Sequence, residues 1–428
     1  MKKTLVAMAA LAATGAYAQS GVSLTGVVDV GYAVTNVDLV PTSKFGGLAT
    51  NGVSTTAFFF KGVEDLGGGL KASFLAELDW APTQSNSANL NSSTSSLGGI
   101  VYTGTPFNGE QFVGLEGGFG VLKLGTPNSP ALTLNAMSQP FGTALGGGFS
   151  SSFGRLGTNT TSGYNQYVGA EGSTGRIIRS EKAAVYSTPE IVPGLKAHIE
   201  YSAANTNGSY VANDNGVLGT TLQYANGPLN AAYMTTKVSS GSIAAAGTPA
   251  WTTLSGVTSG VTTTNTVSTY TANALGTNAS VTYNMAAANY TVGNTTIYGG
   301  FTTTKTDGLT ANKALEDSKS QNIAVKYVMG NIDLMANYLT RKSNLTEAQT
   351  FSVTNGTISN FTPTQKMVGL GANYNLSKNT MYYVRVEKIS GLNGGSSSAT
   401  ATSAGIAPVV SYGNATSTKS MVGIRMAF

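Results

Sequence analysis

Few residues in this chain have side chains suited to chemistry. There is no cysteine, so neither a disulfide nor a thiolate metal site is available, and His198 is the single histidine. A lone imidazole does not make a histidine metal site and gives a nucleophilic triad no choice of base. Glu77 and Asp79 look like an acid pair, but i and i+2 on a strand is ordinary same-face spacing. Gly67-Gly68-Gly69 is glycine-rich, yet no Gly-Lys-Ser/Thr follows to open a helix, so it does not read as a phosphate loop. No catalytic, cofactor-binding or metal-ligating set is expected, and no enzyme.

The charged residues fall instead at alternate positions of apolar segments. Between Leu70 and Trp80 every even residue is apolar, while Lys71, Ser73, Glu77 and Asp79 take odd positions. At the C-terminus Val422, Ile424, Met426 and Phe428 share one side, and Lys419 and Arg425 the other. Period-2 alternation kept over roughly 9–11 residues matches a membrane strand. With apolar residues against lipid, a charge on the lipid face would cost roughly 2–4 kcal/mol near the midplane, so charges must face a lumen. That face receives Asp29, Lys61, Lys71, Glu77, Asp79, Lys123, Lys196, His198, Glu200, Lys326, Asp333, Arg341, Arg385, Glu387, Lys419 and Arg425. Ten are Lys, Arg or His and six are acids, a mildly basic lining. Arg155 and Arg179, from the long stretch 126–178 and its end, are further pore-lining candidates.

The elements that must carry these side chains are strands. The chain has 54 Gly, 20 Tyr, 2 Trp and only 10 % charged residues, a composition poor in helix formers. Lys2 and Lys3, the apolar Leu5–Ala13 and Ala16-Tyr17-Ala18 form an export signal over residues 1–18, leaving residues 19–428 as one barrel domain. Without Lys2 and Lys3 the 24 basic residues become 22, against 19 acidic, too mild and scattered a balance for nucleic acid. Beyond the signal no apolar run approaches the roughly 20 residues of a membrane helix. A chain that crosses a membrane without such helices must close into a barrel, because only closure pairs every backbone polar group.

Sixteen alternating segments are expected, at about 22–35, 54–63, 70–80, 109–116, 120–125, 179–187, 195–203, 217–225, 229–237, 275–284, 295–305, 320–329, 332–341, 366–376, 380–389 and 417–428. Mostly tight connections, among them 64–69, 117–119, 285–294 and 330–331, alternate with long ones such as 36–53, 126–178 and 238–274. Short turns on one rim and long loops on the other are the arrangement of an outer-membrane barrel, and an even count leaves both ends on the short-turn, periplasmic side. No fixed repeat supports a β-helix.

With these segments placed, the chain resembles the general diffusion porins of beta-proteobacteria, of the Comamonas, Burkholderia and Neisseria type. The resemblance is densest over Ser23–Gly31, over Phe60–Ala72 and over Phe112–Gly120 followed by Leu124-Gly125. The chain also ends on a terminal aromatic, Phe428, in an alternating strand. The resemblance implies an all-β, 16-stranded antiparallel transmembrane barrel in the Gram-negative outer membrane, a homotrimer, and a third loop folded into the lumen. It also implies Phe428 as an assembly signal, with outer-membrane lipid, lipopolysaccharide and the assembly machinery as partners. The chain departs from the family where basic residues line one wall of the constriction. Ala57, Glu110, Thr126 and Val185 stand at four positions where arginine is expected. The expected function is a water-filled channel for small hydrophilic solutes and ions, with only a weak preference for anions. A substrate-specific channel or a surface-binding barrel is the alternative.

Overall fold

In a computed structural model the chain is described over residues 21–38, 45–80, 82–83, 107, 109–142, 145–147, 179–180, 182–203, 216–239, 254–258, 261–265, 280–307, 318–343, 352–353, 356–357, 362, 364–397 and 409–428. The proposed export signal and Arg155 lie outside these residues.

The first strand, β1, spans Gly21–Val37. The second, β2, is broken into Phe45–Thr50 and Ala57–Gly67. Then come β3 (Leu70–Asp79), β4 (Gln111–Gly117), β5 (Gly120–Thr126), β6 (Ala183–Ser187) and β7 (Leu195–Ser202). They are followed by β8 (Gly216–Asn226), β9 (Leu229–Ser239), β10 (Ser280–Val292), β11 (Thr295–Asp307) and β12 (Ser318–Met329). The last four are β13 (Ile332–Ser343), β14 (Thr364–Asn375), β15 (Thr380–Ser397) and β16 (Val409–Ala427). Each pairs antiparallel with the next, and β16 returns to β1 from Val27↔Ala427 to Val37↔Ser417, closing a 16-stranded barrel. Closure leaves no strand edge to satisfy, the condition for crossing lipid with strands. Among the described residues the one α-helix, α1 (Pro130–Ser138), lies in the connection after β5.

Side-chain alternation decides the two faces. Ile323, Leu218, Leu222 and Leu370 are all at least half exposed although strongly apolar. A surface of this kind is stable against hydrocarbon, not water. Aromatic side chains gather on it near the chain's end. Phe58 stacks on Trp80 at 5.4 Å between centroids and meets Phe428 edge-on at 5.9 Å. The Phe428 backbone also exchanges both hydrogen bonds with Gly26, at 2.9 and 3.0 Å, tying the last residue into β1.

The structure corrects the expected elements in four places, in the first of which β15 runs on to Ser397 and β16 begins at Val409, pairing residues expected in the connection 390–416. The segment 275–284 with a turn over 285–294 is instead one strand from Ser280 to Val292, turning at Gly293-Asn294. The segment 179–187 is a strand only from Ala183, and Arg179 forms a single bridge to Asn128. The second strand is interrupted over 51–56: its first piece pairs with β1 at Val30–Thr35, its second with Gly21–Val27.

Candidate pore and constriction

The register can be followed from strand to strand without a change of face. Asp29 lies opposite Arg425, Glu387 opposite Lys419, Asp333 opposite Asn373, and Lys326 opposite Met335. Further round, Lys196 meets Gln223, Val185 meets Glu200, Lys123 meets Val185, Lys71 meets Glu116, and Glu77 meets Phe59. Directly opposed residues point to the same side of a sheet, so these groups share the face of Asp29. Lys61 (opposite Ser23 and Leu75), Asp79 (opposite Ala57), His198 (opposite Ser187) and Arg341 (opposite Gln365) join them, as does Arg385 (opposite Met421). The side chains of this face meet α1 and the segment after it, which fixes it as the inward one.

The connection after β5 is placed by local signals first. Ser129 caps α1 through its hydroxyl, which accepts from the Ala131 N–H at 3.2 Å, and Pro130 supplies a ready-made first-turn φ. Ala131, Leu134 and Met137 then bury against Met234, Met285 and Ala287 of the inner wall. The carbonyls at the helix C-terminus, which have no partner within the helix, are met from the barrel. Asn289 donates to the Met137 carbonyl at 3.0 Å and Asn322 to that of Ser138 at 2.7 Å. Gln139 ties back to the Asn135 carbonyl at 3.3 Å and forward to that of Gly142 at 2.9 Å.

Beyond the helix the chain crosses onto β13–β15. Phe141 lies 5.7 Å from the Arg385 guanidinium, and the Gly146 N–H donates to Glu387 Oε2 at 3.0 Å. Here the backbone approaches β14 so closely that a Cβ on Gly369 would fall 1.7 Å from the Gly146 carbonyl oxygen. Only glycine tolerates that contact. The third connection therefore folds inward, and its described part lies against one wall of the barrel.

Its root is held by carboxylates on the opposite wall. Glu110 accepts from the Asn128 N–H and side-chain amide, both at 3.0 Å, and from Lys123 at 3.4 Å. Arg179 donates from Nε to Asn128 Oδ1 at 2.8 Å and reaches Glu77 Oε2 at 3.4 Å. The outgoing and returning chains are thus tied together and to β3. Of the other three positions that lack the family's arginine, Ala57 and Val185 are buried on the inward face and Thr126 lies opposite Gln111.

A second inward segment, the break over 51–56, rests on Asp29. Its Oδ2 accepts from the N–H groups of Val53 at 2.7 Å and Ser54 at 2.9 Å, and its Oδ1 accepts the Tyr383 hydroxyl. Arg425 Nε donates to Ser54 Oγ at 3.0 Å. Val53 and Leu145 pack on one small cluster of Ala33, Ala49, Tyr383 and Met421, so the two inward segments meet.

These contacts divide the inner charges by exposure. All six acids named from the sequence, Asp29, Glu77, Asp79, Glu200, Asp333 and Glu387, are between 0 and 8 % exposed. Arg341 and Arg385 are buried as well, Arg385 donating to Asn373 Oδ1 at 2.6 Å and to the Ala372 carbonyl at 3.1 Å. Lys61, Lys71 and Lys196 are exposed, while Lys123, Lys326, Lys419 and Arg425 are intermediate. The alternation that finds the inward face carries no signal for this division. Ser129-Pro130 is a signal for α1 that a search for strands passes over.

The sequence pattern of the family described as Gram-negative porin matches residues 4–394. Outer membrane porin protein 32 of Delftia acidovorans is 32 % identical over 241 residues, which is 53 % of this chain and 60 % of that relative's length. The fold is similar to that of an anion-selective porin from Comamonas acidovorans, with a TM-score of 0.64 and 21 % identity over 96 % of this chain and all of that one. It is also similar to in-vitro folded OmpT, an outer membrane protein of Vibrio cholerae in its trimer form, with a TM-score of 0.55 and 12 % identity over 96 % of this chain and 99 % of that one. A closed sheet with an apolar outside, a charged inside and an inward-folded third connection agrees with the sequence match: the chain belongs to the Gram-negative porin family and is an outer-membrane β-barrel.

Proposed function

We propose that the chain forms a water-filled channel through which small hydrophilic solutes and ions diffuse passively, with a weak preference for anions and no enzymatic step. The observation that carries this reading is the inward face itself. Sixteen strands enclose more width than side chains can fill. The third connection narrows that width while packing against one wall, and lysines stay exposed on the other. Residues 1–18 serve as a cleaved export signal on this reading. Phe428 serves as the assembly signal, and its deletion is expected to lower the amount of inserted barrel. The working unit is a homotrimer, as OmpT of Vibrio cholerae is in its trimer form. Cross-linking that traps only monomers in mild detergent contradicts that part.

The test is a planar bilayer. Purified protein should give stepwise conductance that rises in proportion to salt concentration without saturating. Its zero-current potential in a potassium chloride gradient should show modestly more chloride than potassium flow. Absence of channels, or a solute flux that saturates, contradicts passive diffusion.

A further inference from the structure

The ten-to-six balance of basic and acidic inner residues treats every charge alike, but only some of them meet water. Five of the six acids have a partner that holds them, and the sixth, Asp79, is buried. Asp29 is occupied by the 51–56 segment and Tyr383, Glu77 by Arg179, and Glu387 by Gly146. Asp333 lies 3.2 Å from Lys326, and Glu200 accepts the Ser180 hydroxyl at 2.7 Å. The exposed and half-exposed bases differ in the same respect. Lys123 spends its charge on Glu110 at 3.4 Å, Arg425 stands opposite Asp29, Lys419 opposite Glu387, and Lys71 opposite both Glu116 and Asp65 in the register.

Two lysines are left over. Lys61 on β2 lies opposite Ser23 and Leu75, with its ammonium 5.1 Å from the Phe59 ring, and Lys196 on β7 lies opposite Gln223. Both are exposed, and neither has a carboxylate opposite it. Both belong to the part of the wall, β2 to β7, that the described part of the third connection leaves open. Lys61 lies six residues before Gly67 and Lys196 one after Leu195, so both are within about 20 Å of the short-turn rim along their strands.

We propose that Lys61 and Lys196 are the selectivity-determining residues of this channel, and that the buried arginines Arg341 and Arg385 are not. The ligand class is the small hydrated anion, chloride or a short carboxylate, attracted without being bound. A lysine ammonium is a compact, hydrated point charge with a flexible stem, suited to attraction rather than to a fixed bidentate site. Buried Arg385 cannot act in this way, because it is enclosed by Phe141, Tyr383 and its hydrogen-bond acceptors. It is a positioning residue for the third connection. The inference rests on the diffusion reading and names the residues that give that channel its sign.

The experiment measures the chloride-to-potassium permeability ratio of single channels at about 0.1 M salt, where the screening length is about 10 Å. Wild type is compared with Lys61→Gln, Lys196→Gln, the double variant, Lys61→Arg and Arg385→Gln. Two unit charges about 10 Å apart in water interact by roughly one thermal unit, so each neutralisation is expected to lower the ratio about two-fold. The double variant should sit near parity or below it, and Lys61→Arg should keep the wild-type ratio. Arg385→Gln should change conductance and open-channel noise while leaving the ratio within its error. Wild-type channels whose ratio survives the double substitution, or follows Arg385→Gln instead, overturn the inference and leave passive diffusion standing. A wild-type protein that forms no channels overturns the diffusion reading itself.

Discussion

The lumen has two unlike walls made by one rule of alternation. On β13 to β16 and the adjoining β1, Asp29 is held by the 51–56 segment, and Arg385 and Glu387 lie against the third connection. Asp29, Arg341, Arg385 and Glu387 are all buried there. On β2 to β7 Lys61, Lys71 and Lys196 are exposed on the inward face, with the exposed carboxylates Asp65 and Glu116 both opposite Lys71. An ionised side chain in a barrel interior therefore has two uses. Enclosed and hydrogen-bonded, it fixes the shape of the passage; in water, it sets the passage's potential. Enclosure is costly unless donors and acceptors are met, which explains why buried Asp29, Arg385 and Glu387 on one wall, and Glu77 and Glu200 on the other, all carry hydrogen bonds.

The sharpest way to break this contrast is to empty the covered wall of its central acceptor. Asp29→Ala leaves the Val53 and Ser54 N–H groups and the Tyr383 hydroxyl without their carboxylate. Each orphaned buried donor costs about 1–3 kcal/mol. The temperature at which the folded band is lost in detergent electrophoresis should fall clearly. The same change at an exposed position, Lys61→Ala, should leave it in place. Equal melting of the two variants would remove the distinction between the walls.

A smaller effect is expected from Gly369→Ala. Its methyl group must displace the Gly146 carbonyl, 1.7 Å from the ideal Cβ position, and with it the Glu387 contact. The third connection should shift off β14, altering single-channel conductance and raising noise while the barrel still folds. Unchanged conductance would mean that this part of the connection does not border the passage. The smallest effect belongs to Ser129→Ala, which removes the cap of α1 at a cost of about 0.5–2 kcal/mol. It should appear as faster flicker with a nearly unchanged permeability ratio.

Much of this molecule is legible in its sequence for one physical reason. A barrel strand has period two, so Lys71, Glu77 and Asp79 declare their common face without any knowledge of their partners. Alternation fails where both faces carry small residues. Ala286, Ala287 and Ala288 give no contrast between lipid and lumen, so a stretch inside β10 looks like a turn. The break in β2 and the burial of the inner acids are invisible for another reason. They depend on contacts remote in sequence, with Asp29 and Tyr383 separated by 354 residues and Gly146 and Glu387 by 241. The absence of arginine at Ala57 and Val185 is visible, but not its consequence, since both positions are buried.

The contrast between the walls is tested most directly by thiol accessibility, for which a chain with no native cysteine is a clean background. Single cysteines at Lys61 and Lys196 are compared with one at Met367, an inward residue of β14 that is fully buried beside Gly147. A charged, water-soluble thiol reagent added to folded protein should modify Lys61→Cys and Lys196→Cys rapidly. Each modification should change the current through open channels. Met367→Cys should react only after the barrel is unfolded. Rapid modification of Met367→Cys in the folded protein, or protection of both lysine positions, would contradict a lumen with one covered wall and one open one.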